Sequence, residues 1–105
     1  MADIRYFDAF TLVGRSVRTA PGLPETPEQI LALMDHAGIH EALVVDALAM
    51  EANPRAGNER VLETVRGYPR LHPAWCGLMT ASRELPPPDE LVARMRAEGV
   101  GALFL

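Results

Sequence analysis

The sequence predicts an α/β fold, specifically the βαβαβαβ first half of a TIM (β/α)8 barrel. Three observations lead there. Apolar runs alternate with helix-punctuated segments; strand starts at residues 4, 42, 71 and 101 fall about 30 to 40 residues apart, as successive βαβ units do; and the long connections all follow strands. A small doubly wound parallel sheet shares this alternation and is the structural alternative. At 105 residues the chain is a single domain, residues 1–105.

The first strand is expected over residues 4–10, followed by a loop over 11–25. A helix then opens at Thr26-Pro27-Glu28-Gln29: Thr26 can cap, proline fits the first helical position, and Gln29 completes a capping box. Ile30, Leu33, Met34 and Ala37 follow at helical spacing, and Gly38 stands where a left-handed terminal residue is needed. The second strand, residues 42–46, begins Ala42-Leu43-Val44-Val45, apolar on both faces as a parallel strand between two layers requires. After a loop over 47–57, Asn58 is the expected cap of a second helix through Val61, Leu62 and Val65, stopped by Gly67 and Pro69. A third strand is expected over 71–78 and a loop over 79–86. The third helix opens at Pro87 or Pro88, with Asp89 and Glu90 facing the positive end of the helix dipole, and closes at Gly99. The fourth strand is residues 101–105. Its abrupt apolar end predicts a fragment of a longer barrel chain, one that aggregates or dimerises through that edge when alone. Parallel strands joined by crossovers also place the 11–25 and 47–57 loops at the same, carboxyl end of the sheet, where such folds bind ligands.

Composition narrows the function. The hydrophobic share of 49% and charged share of 23% describe a globular domain, and the formal net charge of −4 gives no basic field for nucleic acid or an anionic membrane surface. One cysteine and no signal-like start point to the cytoplasm, and no apolar stretch approaches the roughly 20 residues of a membrane span. There is no P-loop or nucleophile elbow, and Gly99-Val100-Gly101 precedes a strand, the wrong end to cradle a phosphate. The Pro86-Pro87-Pro88 run reads as a stiff lead into the third helix.

One stretch carries a family likeness. Tyr6-Phe7-Asp8-Ala9-Phe10-Thr11-Leu12-Val13-Gly14 resembles the first strand of the amidohydrolase-related metal-dependent hydrolases, apolar-Asp-x-His-x-His-x-Gly, matching at Phe7, Asp8 and Gly14. Residues 38–45, the helix opening at Gly57-Asn58-Glu59, and Tyr68-Pro69-Arg70-Leu71 leading into Trp75 are similar to that family's second strand, second helix and third strand. The resemblance implies a (β/α) barrel. It also implies one or two divalent metals, often zinc, serving hydrolysis, decarboxylation or hydration of small organic acids, amides and esters. The departure is at the metal: Phe10 and Leu12 stand where the family places two histidine ligands. Strand alternation sets both on the same face as Tyr6 and Asp8. Zinc would then be held only by residues beyond 105, or the site is degenerate.

The histidines offer no replacement. His36 falls in the last turn of the first helix, where the dipole favours a cation, while His40 and His72 lie at the amino end of the strands. Cys76, beside Trp75 in a strand, reads as a small buried hydrophobe. Oxygen donors such as Asp46 and Glu51 would suit magnesium or calcium better than zinc. On the carboxyl face Asp46 is the candidate catalytic carboxylate, and Arg15, Asn53 and Arg55 are candidates to hold a substrate carboxylate. Asp8 is expected to hydrogen-bond within the sheet. The resulting expectation is a full-length metal-dependent hydrolase or decarboxylase of small carboxylated, amide or ester substrates, with the 105-residue chain inactive alone. The alternative is a noncatalytic degenerate barrel serving as a small-ligand-binding or assembly subunit, a homo-oligomer included.

Overall fold

A computed structural model describes residues 4–16, 23–77 and 84–105. The first helix, α1 (Pro27–Ala37), starts on the expected capping box. Thr26 accepts from the Gln29 amide at 3.2 Å, and the Gln29 side chain accepts from the Thr26 amide at 3.2 Å. Gly38 ends it at φ +76°. The buried stripe is narrower than the periodicity suggested: Ile30 and Met34 are buried and Leu31 packs beside them, but Leu33 and Ala37 face solvent.

Strand β1 (Tyr6–Val13) sits later in the chain than the expected 4–10, because its parallel ladder with β2 (Ile39–Asp46) continues to Val13 opposite Asp46. The ladder slips between Asp8 and Thr11, where one extra residue of β1 is accommodated. Asp8 fastens this irregularity, accepting from the Phe10 amide at 3.0 Å and the Thr11 hydroxyl at 2.8 Å. The slip also separates residues that simple alternation would group. Asp8 lies opposite Ala42 and Thr11 opposite Val44, on the helix-packed side, while Leu12 lies opposite Val45 on the other.

The expected 47–57 loop is largely helical. A short helix, α2 (Ala47–Glu51), follows β2 directly, and α3 (Pro54–Val65) is capped by Asn53, whose side chain accepts from the Ala56 amide at 3.0 Å. Asn58 therefore does not cap: it lies one turn inside α3. The expected third strand divides into β3 (Leu71–Pro73) and β4 (Trp75–Cys76). Pro73 has no amide to donate, and the Ala74 amide reaches Val44 at 2.9 Å. The segment thus bonds β2 through Ala74, then switches its ladder to β5 (Leu103–Phe104). Leu78 and loop residues 79–83 lie outside the described residues. The last helix, α4 (Pro88–Glu98), opens on Pro87-Pro88 and ends at Gly99, φ +74°.

All described strand pairs are parallel, and β1, β2 and β3 lie side by side in chain order, without the reversal a doubly wound sheet shows. Winding in one direction places α1, α3 and α4 on one face. There Ile30, Met34, Val61, Val65 and Leu91 pack on Val13, Ala42, Val44, Leu71 and Trp75. The other face carries Val45, Ala74 and Cys76, with Leu12, Leu43 and Phe104 partly buried, and among the described residues α2 packs there through Ala49. Across this face Phe10 of β1 and Phe104 of β5 meet edge to face, ring centres 5.3 Å apart. Rings from the first and last strands can meet only if the intervening sheet curves toward this side. The described strands do not close into a barrel.

Candidate functional site

At the carboxyl ends of β1 and β2 the chain makes two turns that face each other, as the parallel arrangement requires. Gly14 leaves β1 at φ +89°, its amide donating to the Glu25 carbonyl at 2.8 Å. A side chain there would be strained, and its Cβ would stand 3.4 Å from Arg60 Nη2 and 3.6 Å from Asp46 Oδ1. Glycine at this position therefore lets the backbone lie against an ion pair.

That pair is the centre of the site. Asp46, the last residue of β2, is buried and caps α2 by accepting from the Leu48 amide at 2.8 Å. Arg60 of α3 grips the same carboxylate in a fork, Nε to Oδ2 at 2.8 Å and Nη2 to Oδ1 at 2.6 Å. The Asp46 side chain is 2% exposed and that of Arg60 50%, so the fork joins an interior anion to a cation at the cleft surface. Asp46 raises the Arg60 pKa above its already high ordinary value, through the hydrogen bond first. Asp46, expected as a free carboxylate at the strand end, is instead a holding group: its oxygens are committed to a backbone amide and a guanidinium.

Around the pair lies a cleft of about 580 Å³ bordered by Arg15, Glu25, Glu51, Arg60 and Thr64. Ser16 is buried and donates to Glu51, tying the end of β1 to the end of α2. The cleft thus combines two guanidinium groups with three carboxylates. Among the described residues Arg60 Nη1 makes no hydrogen bond, so part of that guanidinium remains open to a ligand.

The other candidates separate. Asn53 is spent on capping α3. Arg55 borders a different, mostly apolar cavity of about 1090 Å³ between α3 and α4, near Trp75, Leu91 and Leu103. Arg15 alone of the three joins Asp46 in the cleft. Residues around the 11–25 and 47–57 loops do share one end of the sheet, as parallel topology demands.

Comparison with known protein families, curated proteins and solved structures finds no match.

Two working residues were missed by sequence reasoning. Arg60 lies 14 positions from its partner Asp46, inside a helix face with no local signature. Asn58, buried in α3, pairs its side-chain amide with the β4 backbone, donating to the Cys76 carbonyl at 2.9 Å and accepting from the Cys76 amide at 2.8 Å. Cys76 itself is buried as expected, and burial pushes its thiol pKa up, with the Asp46 charge adding to the rise. His72 lies at the amino end of β3, bonded to Glu41 at 2.8 Å and stacked on Phe7. Among the described residues no three His, Cys, Asp or Glu side chains converge as a metal would need, and no helix is long and apolar enough to cross a membrane.

Proposed function

We propose that the chain is a barrel-type small-molecule-binding subunit, a degenerate relative of the amidohydrolase-like hydrolases, that takes a small carboxylated zwitterion in the cleft at the carboxyl ends of β1 and β2. The observation that carries this reading is the fork of Arg60 on buried Asp46 beside Arg15. Asp46 consumes only part of the Arg60 guanidinium and fixes its plane, leaving a preorganised cation next to a second one. Glu25 borders the same cleft, and a carboxylate beside two guanidinium groups suits a ligand carrying an ammonium as well as a carboxylate.

The metal chemistry the resemblance implies does not fit these residues. Leu12 lies opposite Val45 on the α2 side of the sheet, and Phe10 packs its ring on Phe104. Neither side chain has a lone pair to give a metal, and the carboxylate nearest that end, Asp46, is held by the Leu48 amide and the Arg60 guanidinium.

Calorimetric titration of the purified chain with amino acids, glutamate and glycine among them, against succinate as the dianion control tests the proposal. A zwitterion should bind, and Arg15→Ala should weaken it about tenfold, the usual loss for one charge-assisted contact. Heat of binding from succinate alone, from neither class, or unchanged by Arg15→Ala would overturn it.

A further inference from the structure

Asn58 stands where β2 has run out. The Trp75 and Gly77 amides donate to the Ala102 and Phe104 carbonyls on the β5 side, at 3.0 and 2.7 Å, so the amide and carbonyl of Cys76 between them point the other way, toward β2. β2 does not meet them. The Ala74 amide still reaches the Val44 carbonyl at 2.9 Å, but two residues later the chain turns at Asp46 into α2. The Asn58 carboxamide, buried in α3, takes the empty place. It donates to the Cys76 carbonyl at 2.9 Å and accepts from the Cys76 amide at 2.8 Å, satisfying both groups as a neighbouring strand would.

Two residues along the same helix, Arg60 forks on Asp46. Positions two apart on a helix are separated by about 200°, so Asn58 and Arg60 leave opposite flanks of α3, with buried Gly57 and Val61 on the arc between them. Gly57 lies so close to the Ala49 backbone that a Cβ would stand 2.2 Å from its nitrogen. The first turns of α3 are thus seated on α2 and β4 at once, and Arg60 reaches Asp46 from that seat. Its side chain is 50% exposed, and among the described residues Asp46 alone bonds its guanidinium. We propose that Asn58 is the positioning residue of the cleft's cation: by locking α3 to the end of β4 it fixes the distance and plane at which Arg60 meets Asp46, and so presents the free Nη1 to the ligand carboxylate. This role rests on the reading of the cleft as a carboxylate site. Asn58 touches no ligand and acts only through Arg60.

Titration calorimetry with glutamate and glycine, and exchange of the Arg60 Nε–H with water followed by NMR in the unliganded chain, test this together. Asn58→Ala should raise the Kd about fivefold, the cost of ordering one long side chain at the moment of binding, and should speed the Nε–H exchange by a similar factor. Met34→Ala, a cavity in the core beneath α1, lowers stability without touching α3's seat and should leave both readings within about twofold of wild type. Because Asn58→Ala leaves two buried backbone groups unpaired and could unfold the chain, a measurement on the wild type stands beside it. Under rising urea the Cys76 amide and the Arg60 Nε–H should open together, before the Val44 amide of the core does. Wild-type affinity and exchange in Asn58→Ala, equal losses in Met34→Ala, or separate opening of Cys76 and Arg60 would each overturn the positioning role and leave the cleft's ligand standing. A wild-type chain that binds neither amino acid would sink the ligand and with it the role, whatever the exchange shows.

Discussion

The two faces of the sheet are built from the same four residues of β2 and meet different fates. Ala42 and Val44 are enclosed by α1 and α3, whereas Leu43 and Val45 face a side where, among the described residues, the short α2 packs through Ala49. Both pairs are apolar, so hydropathy alone cannot tell them apart. What differs is the direction of winding: each crossover returns on the same side, and every long helix lands there. Both layers bury their centres, Val44 on one side and Val45 on the other, but among the described residues the second is built on one short helix and the first on three long ones. The contrast teaches that an apolar strand face is evidence of burial somewhere, not of burial by its own helices.

The largest effect expected to test this contrast is on the covered face. Ile30→Ala removes a fully packed side chain beneath α1 and should cost about 2–5 kcal/mol in urea unfolding. Phe10→Ala, on the opposite face and 46% exposed, should cost about 1 kcal/mol or less. Equal losses would mean that the opposite face is as well packed there as the covered one, and the contrast would fail.

Next in size is the close approach of α2 to α3. A Cβ on Gly57 would come within 2.2 Å of the Ala49 backbone nitrogen, a contact with main chain that no rotamer can relieve. Gly57→Ala should destabilise by about 3 kcal/mol, through overpacking that forces the two helices apart. As α2 packs on the opposite face, this variant should also loosen Ala49 from Val45, visible as faster amide exchange there. A neutral Gly57→Ala would show that α2 is free to move.

Asp46 sharpens the comparison at the end of the sheet where both faces meet. Asp46→Ala removes the α2 cap and leaves the Arg60 fork empty. A cap is worth about 1 kcal/mol and the half-exposed partner screens the rest, so a loss of about 2 kcal/mol is expected in denaturant. Asp46→Asn keeps an acceptor for Leu48 and should recover the cap share only. If Asp46→Ala instead left stability unchanged, the carboxylate would be strained in place, the signature of a group retained for function.

Much of the covered layer was legible in the residues. Thr26-Pro27 and Gly38 bracket α1 in the sequence as they do in space, because caps act through neighbours three residues away. The same cap-proline pairing stands at Asn53-Pro54, while Asn58, nearer the apolar repeat, carries the same capping chemistry five residues inside the helix. The slip in β1 was not legible, since an extra residue is defined only against the strand it pairs with. At the site, Asp46 could be placed at a strand end by pattern alone. Its commitment to Arg60 could not, because two residues 14 positions apart are brought together by α3 packing on β2, and no local motif records that. The difference between the faces was hidden for a related reason: the sequence shows that Leu43 and Val45 are apolar and is silent on what covers them.

A smaller effect concerns the helix layer's outer seam, where the Tyr68 hydroxyl donates to Glu28 of α1. The Tyr68 bond lowers the Glu28 pKa from its ordinary 4.5, and Glu28 in turn raises the Tyr68 pKa from 10.0. The signs then follow by linkage. The Glu28 share of stability is present above pH 4.5 and fades as pH falls through the lowered folded value; the Tyr68 share is present below pH 10.0 and fades as pH rises through the raised one. Both groups are exposed, so the change is slight. Tyr68→Phe should flatten both limbs of the melting temperature against pH, and an unchanged profile would mean the bond is absent in solution.

The smallest expected effect is a null one on the face opposite the long helices. Zinc titrated into the chain should release no heat of stoichiometric binding at strand one, because Phe10 and Leu12 offer only carbon where the resembling family offers imidazole. The comparison is Phe10→His/Leu12→His. Leu12 sits beside Val45 on the curved side, and Phe10 reaches as far as Phe104, so two imidazoles there would point into the same concavity. Two nitrogens make half of a tetrahedral site, enough for weak binding completed by water and short of the tight binding of a built centre. The double variant should therefore bind zinc measurably, and the unmodified chain should not. Micromolar zinc binding by the unmodified chain that involves β1 would require donors from this face that the register of β1 on β2 does not provide, and would show that the slip between Asp8 and Thr11 lies elsewhere.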